Sequence, residues 1–87
     1  MQSTKQRPSL RLKAIAEADP GALVRILQLL QGRNLVPRAV NAECIGAQYL
    51  DIRIELDGSA LAADAAKALI AKIEQLPAVL AIVDCDG

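Results

Sequence analysis

Residues 49–56, YLDIRIEL, alternate between polar and apolar side chains, and this alternation restricts the possible folds more than any other feature. One face of the segment carries four apolar side chains, those of Leu50, Ile52, Ile54 and Leu56. A period of two residues indicates a β-strand with one buried face. The segment therefore predicts a half-buried strand.

Three other segments are also rich in strand-forming residues. Residues 9–16, SLRLKAIA, alternate in the same way and predict the first strand. Residues 35–45, LVPRAVNAECI, predict a second strand that forms a hairpin with residues 49–56. Because Pro37 cannot donate a hydrogen bond to a ladder, we expect this strand at a sheet edge with a bulge nearby. Residues 78–85, AVLAIVDC, predict the last strand.

The first helix follows an Asp-Pro-Gly corner. Asp19 stands at the N-cap and Pro20 in the first turn, where its missing N–H costs nothing. An apolar stripe with helical spacing follows at Leu23, Ile26, Leu27 and Leu30. Gly32, with Asn34, is expected to supply the left-handed residue that ends the helix.

The second helix is predicted between Ser59, as its cap, and Pro77, which ends it. Its buried stripe comprises Leu61, Ala65, Leu69, Ile73 and Leu76. The elements therefore occur in the order βαββαβ. With right-handed crossovers this order predicts a ferredoxin-like α+β sandwich. Its four-stranded antiparallel sheet has strand order 4-1-3-2, and both helices lie on one face.

Chain length and charge limit the partners. Residues 1–8 are polar and are interpreted as a disordered leader, so residues 9–87 form the single domain. A domain this small buries only about 60 to 65% of its unfolded surface, which favours a homo-oligomer. Ten basic residues balance ten acidic residues, so we expect no nucleic-acid partner. Without a membrane span or secretion signal, we expect no membrane partner and a cytoplasmic location.

Few residues are suited to catalysis. The chain contains no histidine, which excludes His-based triads and the usual zinc motifs. Cys44 and Cys85 are expected on opposite sheet edges, reduced, and packed as small hydrophobic residues. We therefore expect no enzyme activity, no catalytic residues, no metal and no cofactor.

Three other functions of this sandwich fit poorly. An RNA-recognition module stacks bases on aromatic residues, whereas Tyr49 is the single aromatic residue of the chain. A copper chaperone needs paired thiolates in its first loop, which here reads EADPG. An acylphosphatase needs an arginine among the first-loop amides, whereas Arg25 is a full turn inside the helix.

The corner EADPGALVRIL, residues 17–27, has two interpretations. It is either only a favourable helix start, capped by Asp19, or a site where free amides receive a small carboxylate. The amides concerned are those of Gly21, Ala22 and Leu23. The sequence pattern alone leaves both interpretations open.

Residues 9–85 resemble an ACT domain, a βαββαβ regulatory module of amino-acid biosynthesis. The DPGAL corner with its helix carries most of this resemblance. A chain this short is most similar to the small regulatory subunits of acetohydroxyacid (acetolactate) synthase. The resemblance implies side-by-side dimers that bind an amino acid between protomers. The implied effector site comprises Ala18, Asp19, Gly21, Ala22, Leu23 and Val36.

Two residues of this chain depart from the pattern of the family it resembles. Valine-responsive small subunits usually carry asparagine at the positions of Ala18 and Val36. Two polar anchors for a zwitterion are therefore missing, and classical feedback by valine is not expected. The implied function is a non-catalytic subunit that activates a catalytic large subunit by contact. The alternatives are a stand-alone amino-acid sensor and a homodimer without a regulatory role.

Copies of the chain could pair through strand two or through strand four, and the sequence leaves both alternatives open. On strand four, Leu80 and Ile82 are expected to point away from the helices. A monomer would leave both side chains in contact with water, so they are candidates for an interface.

Overall fold

The structure, a computed structural model, describes residues 9–85. Its elements in chain order are β1 (Ser9–Glu17), α1 (Pro20–Gly32), β2 (Ala39–Ile45), β3 (Tyr49–Asp57), a short 3₁₀ turn (Gly58–Ala60), α2 (Ala63–Glu74) and β4 (Val79–Asp84). All strand pairs are antiparallel, and the sheet order is β2-β3-β1-β4. The predicted fold class and strand order are therefore confirmed. The predicted leader, residues 1–8, lies outside the described residues.

The core lies between the helices and one face of β1 and β3. In the β1–β3 register, Leu12 is opposite Ile54 and Ala14 is opposite Ile52, and all four are buried. The helices contribute the buried residues Ala22, Ile26, Leu30, Leu69 and Ile73. Full burial of a side chain the size of isoleucine stabilises the fold by about 1.5–3 kcal/mol. The apolar faces of the strands and the apolar stripes of the helices thus pack together in one core.

Helix α1 ends in a left-handed residue, which is Asn34 and not Gly32. Asn34 has φ of 58°. Its N–H donates to Gln31 O at 3.0 Å, and the N–H of Leu35 donates to Leu30 O at 2.9 Å. These two bonds define a Schellman motif, in which Leu35 also packs against the core.

Helix α2 begins later than the sequence predicts. Ser59 does not cap it, because the chain first forms the 3₁₀ turn, and the N-cap position is occupied by Ala62. Ser59 instead donates its backbone N–H and its hydroxyl to Asp57 Oδ1, at 3.0 and 2.8 Å. The carboxylate of Asp57 therefore organises this turn, and the prediction of Ser59 as a helix cap is wrong.

Strand β2 lies at one edge of the sheet, as predicted. Pro37 precedes the strand, and the backbone N–H of Arg38 donates to Glu55 O at 2.8 Å. Pairing between β2 and β3 then continues without a register shift from Ala39 to Ile45. The bulge expected near Pro37 is therefore absent from β2, because the proline stands outside the ladder.

The irregularity lies instead in β4, at the opposite edge. Ile15 pairs with Ala81 and Ala16 pairs with Val79, so Leu80 is the additional residue of a bulge. Ile82 consequently pairs with Ala14 and packs against the core, whereas Leu80 is exposed. The expectation that Ile82 points away from the helices is wrong.

Both cysteines are free thiols, and they lie at opposite edges of the sheet. Cys44 lies in the edge strand β2, and Cys85 follows β4. The absence of a disulfide between them agrees with the predicted separation. Both side chains are exposed, however, so the expectation that they pack as small hydrophobic residues is wrong.

Candidate functional site

Two backbone hydrogen bonds fix the corner between β1 and α1. The N–H of Glu17 donates to Ala78 O at 2.8 Å, and the N–H of Ala18 donates to Gln48 O at 2.9 Å. Gln48 belongs to the turn between β2 and β3. The corner is therefore tied on one side to the segment before β4 and on the other to the tip of the β2–β3 hairpin.

Asp19 occupies the N-cap position of α1 with extended backbone, but its side chain makes no capping hydrogen bond. Its carbonyl oxygen accepts the N–H of Ala22 at 3.0 Å. The N–H group of Gly21 meets no acceptor within residues 9–85. This donor of the first helical turn is therefore available to a ligand, and the positive end of the helix dipole favours an anion there.

Two charged side chains flank Gly21. A methyl group placed on Gly21 would lie 3.4 Å from Asp19 Oδ2 and 3.6 Å from Arg25 Nε. From its position a full turn inside the helix, Arg25 is not expected to act at the corner. Its spacing of four residues from Gly21 was the signal for this contact, because such residues are neighbours on a helix surface.

The structure gathers most of the predicted effector-site residues at the corner. Ala18, Asp19, Gly21, Ala22 and Leu23 are contiguous there. Val36 lies beyond the other end of α1, and a helix of 13 residues spans about 20 Å. Val36 is 85% exposed. Within one chain, Val36 and the corner are therefore at opposite ends of the sandwich.

Strand β2 presents an apolar stripe on the helix side of the sheet. Val40, Ala42 and Cys44 are opposite the inward-facing residues Ile54, Ile52 and Leu50 of β3. Nevertheless, every residue of β2 is exposed. The helices therefore leave this edge of the sheet uncovered.

The other face of the sheet carries charged side chains. Arg53 donates two hydrogen bonds to Asp51, each of 3.3 Å. Hydrogen bonding and the negative charge of Asp51 raise the pKa of Arg53. Glu55 accepts the hydroxyl of Ser9 at 3.0 Å and lies 3.9 Å from Arg38. These exposed pairs contribute little stability individually.

Neither a candidate metal cluster nor a membrane-spanning helix occurs among the described residues. Within residues 9–85, no group of three His, Cys, Asp or Glu side chains is arranged to hold a metal ion. Neither helix in that range combines the length and apolar character that crossing a bilayer requires.

The fold has close structural neighbours. The C-terminal domain of the MgtC protein from Mycobacterium tuberculosis matches with a TM-score of 0.69 at 14% identity, over 94% of this chain and 89% of that one. The ACT domain from GTP pyrophosphokinase of Chlorobium tepidum matches with a TM-score of 0.68 at 10% identity, over 90% and 97%.

A third neighbour is a longer chain. The ligand-free regulatory subunit of aspartate kinase from Thermus thermophilus matches with a TM-score of 0.65 at 14% identity, over 90% of this chain and 52% of that one. No protein-family model matches the sequence, and no curated protein does either. At these identities the comparisons establish the fold, which is that of ACT domains.

Proposed function

We propose that this chain is a non-catalytic regulatory protein that activates a branched-chain amino-acid biosynthetic enzyme of the acetolactate synthase type. Two of its structural neighbours are an ACT domain and a regulatory subunit of aspartate kinase. The observation that carries the proposal is the fully exposed edge strand β2, whose hairpin tip is bonded to the corner at Ala18. An uncovered edge that is hydrogen-bonded to this corner suits a module that acts by contact.

The proposal includes a homodimer that forms along β2. An antiparallel pair with its two-fold axis at Ala42 matches all seven residues of the strand with those of a second copy. On the helix side, Val40 then faces Cys44 of the second copy, and Ala42 faces its own equivalent. On the other side, Asn41 faces Glu43 of the second copy, which allows an amide-to-carboxylate hydrogen bond.

This pairing offsets two costs of the isolated chain. It satisfies the outward backbone groups of the edge strand, which otherwise invite nonspecific association. It also removes the apolar stripe of Val40, Ala42 and Cys44 from water. Pro37 does not oppose the arrangement, because it precedes β2.

The same pairing would complete the effector site. Because the strands run antiparallel, the start of β2 in one copy lies beside the end of β2 in the other. Val36 of the second copy then approaches the corner of the first, through the hairpin tip that holds Ala18. The six predicted effector-site residues would thus converge only between two copies.

A bound amino acid would meet charges and amides at this corner. The N–H group of Gly21, together with Arg25, suits its carboxylate, and Asp19 suits its ammonium group. Ala18 and Val36 offer no side-chain hydrogen bonds. Two missing bonds to charged groups, at about 1.5–3 kcal/mol each, reduce affinity about a hundredfold or more. Because the corner is expected to bind an amino acid only weakly, the proposed activation acts through protein contact and does not require a bound effector.

Reconstitution tests the proposal. The purified chain is added to the catalytic subunit of acetolactate synthase from the same organism, and acetolactate formation is measured. We expect the activity to rise with the concentration of the chain and to saturate. Val40→Lys, which places charge in the β2 stripe, should lower this activation, whereas Lys72→Gln on α2 should not. An unchanged rate, with no complex by light scattering, would reject the proposal.

The second candidate is a stand-alone amino-acid sensor. It is favoured by the uncapped amide of Gly21 and by the pair of opposite charges beside it. Calorimetric titration with the common amino acids distinguishes the two functions. A saturable ligand whose binding is lost in Arg25→Gln would support the sensor, whereas the absence of heat from all of them would reject it.

A further inference from the structure

We infer that the sheet face opposite the helices carries a second site, which binds a small organic dianion such as a phosphomonoester or a dicarboxylate. The site is a depression of about 460 Å³ over β1, β2 and β3. It lies on the other side of the sheet from the helices, so it is separate from the proposed effector corner. The inference does not depend on the proposed function.

The depression has a suitable size and floor. Ligand pockets usually have volumes of about 300–1,000 Å³. Its lining is assembled from the backbone and side chains of three adjacent strands, Ala39 and Asn41 from β2, Arg53, Ile54 and Glu55 from β3, and Arg11, Leu12 and Lys13 from β1. Cys85 closes the rim after β4, where its N–H donates to Arg11 O at 2.7 Å. A rigid sheet therefore presents these groups.

The lining is positively charged although the chain as a whole is neutral. Arg11, Lys13 and Arg53 contribute three cations to the lining and Glu55 contributes one anion, while Asp51, outside the lining, pairs with Arg53. Glu55 already accepts a hydrogen bond from Ser9 and lies 3.9 Å from Arg38. The depression thus concentrates positive potential, and a concave site strengthens such a field.

Two of these cations have no partner among the described residues. Neither Arg11 nor Lys13 makes a hydrogen bond or an ion pair through its side chain within residues 9–85. Lys13 is also directly opposite Arg53 in the β1–β3 register. Like charges in that position destabilise a sheet. A bound anion would remove this repulsion and give both unpaired side chains a partner.

The geometry favours a dianion over a single carboxylate. Arg53 is held by Asp51, so its guanidinium is oriented before a ligand arrives. Arg11 and Lys13 can then approach a second negative group from β1. Arginine binds phosphate and carboxylate groups with matching planar geometry, and lysine adds a point charge.

Cys85 and Cys44 provide a direct readout in the unmodified chain. Cys85 lines the depression, whereas Cys44 lies in the other edge strand on the helix side. Both react with N-ethylmaleimide at rates that mass spectrometry can measure separately. With glycerol 3-phosphate, inorganic phosphate or succinate as the probe, at constant ionic strength, we expect saturable slowing at Cys85 and none at Cys44.

Variants separate binding from structure. Lys13→Gln should weaken the tightest-binding probe about ten- to hundredfold, the value of a charged hydrogen bond. It should also raise the melting temperature of the ligand-free chain, because it removes the repulsion with Arg53. Lys72→Gln, which changes a lysine on α2, is the matched control and should alter neither quantity.

Any one of four outcomes would overturn the inference. In the first, no probe slows the labelling of Cys85. In the second, Lys13→Gln and Lys72→Gln bind the probes equally well. In the third, single-stranded RNA protects Cys85 whereas all three small anions fail to do so. A lower melting temperature of ligand-free Lys13→Gln would show that Lys13 is structural and would also reject the site.

Discussion

Leu80 and Ile82 are two residues apart in one strand, yet Leu80 is 53% exposed while Ile82 packs against the core. The bulge at Leu80 shifts the register, so that Ile82 falls opposite Ala14 on the helix side. Position along β4 therefore does not by itself predict the face on which a residue lies.

This relationship predicts unequal effects of the same substitution. Ile82→Lys should lower the free energy of unfolding by about 1–3 kcal/mol, because an ammonium group replaces an apolar contact with the core. Leu80→Lys should change it by less than about 0.5 kcal/mol. Urea denaturation followed by circular dichroism measures both. Equal losses would show that the bulge is absent.

The proposed β2 dimer predicts a specific interchain disulfide. Directly opposed residues in antiparallel strands have Cα atoms about 4.5–5.5 Å apart, which suits a disulfide. Val40→Cys should therefore crosslink to the native Cys44 of a second copy, as seen on a non-reducing gel. Leu80→Cys, at the other edge, is the control and should remain uncrosslinked at the same concentration.

Adding Cys44→Ser to Val40→Cys tests the register itself. The crosslink should disappear, because the two Val40 positions lie on opposite sides of the two-fold axis at Ala42. A crosslink that persists in the double variant would require another register, and a dimer that crosslinks only through Leu80→Cys would place the interface on β4.

Asp19, at the N-cap of α1, and Asp57, at the N-cap of the 3₁₀ turn, should differ in their contribution to stability. Asp19 makes no side-chain capping bond, so Asp19→Ala should cost about 0.5 kcal/mol or less, from helix-dipole attraction alone. Asp57 accepts two bonds from Ser59, so Asp57→Ala should cost about 1 kcal/mol or more. Urea denaturation of both variants provides the comparison, and a larger loss for Asp19→Ala would mean that its carboxylate caps α1.

Asn34 predicts a backbone effect at the end of α1. Its φ of 58° is unfavourable for residues with a Cβ atom, although asparagine tolerates it better than most. Asn34→Ala should therefore lower the free energy of unfolding by about 1 kcal/mol, whereas Asn34→Gly should leave it unchanged or raise it. Thermal unfolding distinguishes them. Arg33→Ala, at φ of −108°, serves as the control and should change little.

The alternation of β1 and β3 and the stripes of the helices were sufficient to predict the fold. These patterns are strongly periodic, and one buried face determines the register of each strand. The pattern of β4 is different, because residues 78–83 are all apolar and fit either face. The bulge at Leu80 therefore left no signal in the sequence.

Other departures reflect competition between nearby groups. Gly32 and Asn34 both permit a left-handed residue, and the Schellman bonds select Asn34. Asp57 binds Ser59 before that residue can cap a helix. At the candidate site, the contiguous corner was readable from DPGAL, whereas Arg25 was not, because its approach to Gly21 depends on one turn of helix.

The hydrogen bond from Ala18 N–H to Gln48 O connects the corner before α1 to the turn between β2 and β3. It joins the start of α1 to the hairpin that carries β2, so a displacement of either is transmitted to the other through a single peptide contact. A metabolite that binds at the corner and shifts this hairpin would change the affinity between copies at the sheet edge. By linkage, association of the copies would change the affinity for the metabolite by the same factor. In the proposed dimer, the concentration of the chain and the occupancy of its corner would then both control one association equilibrium.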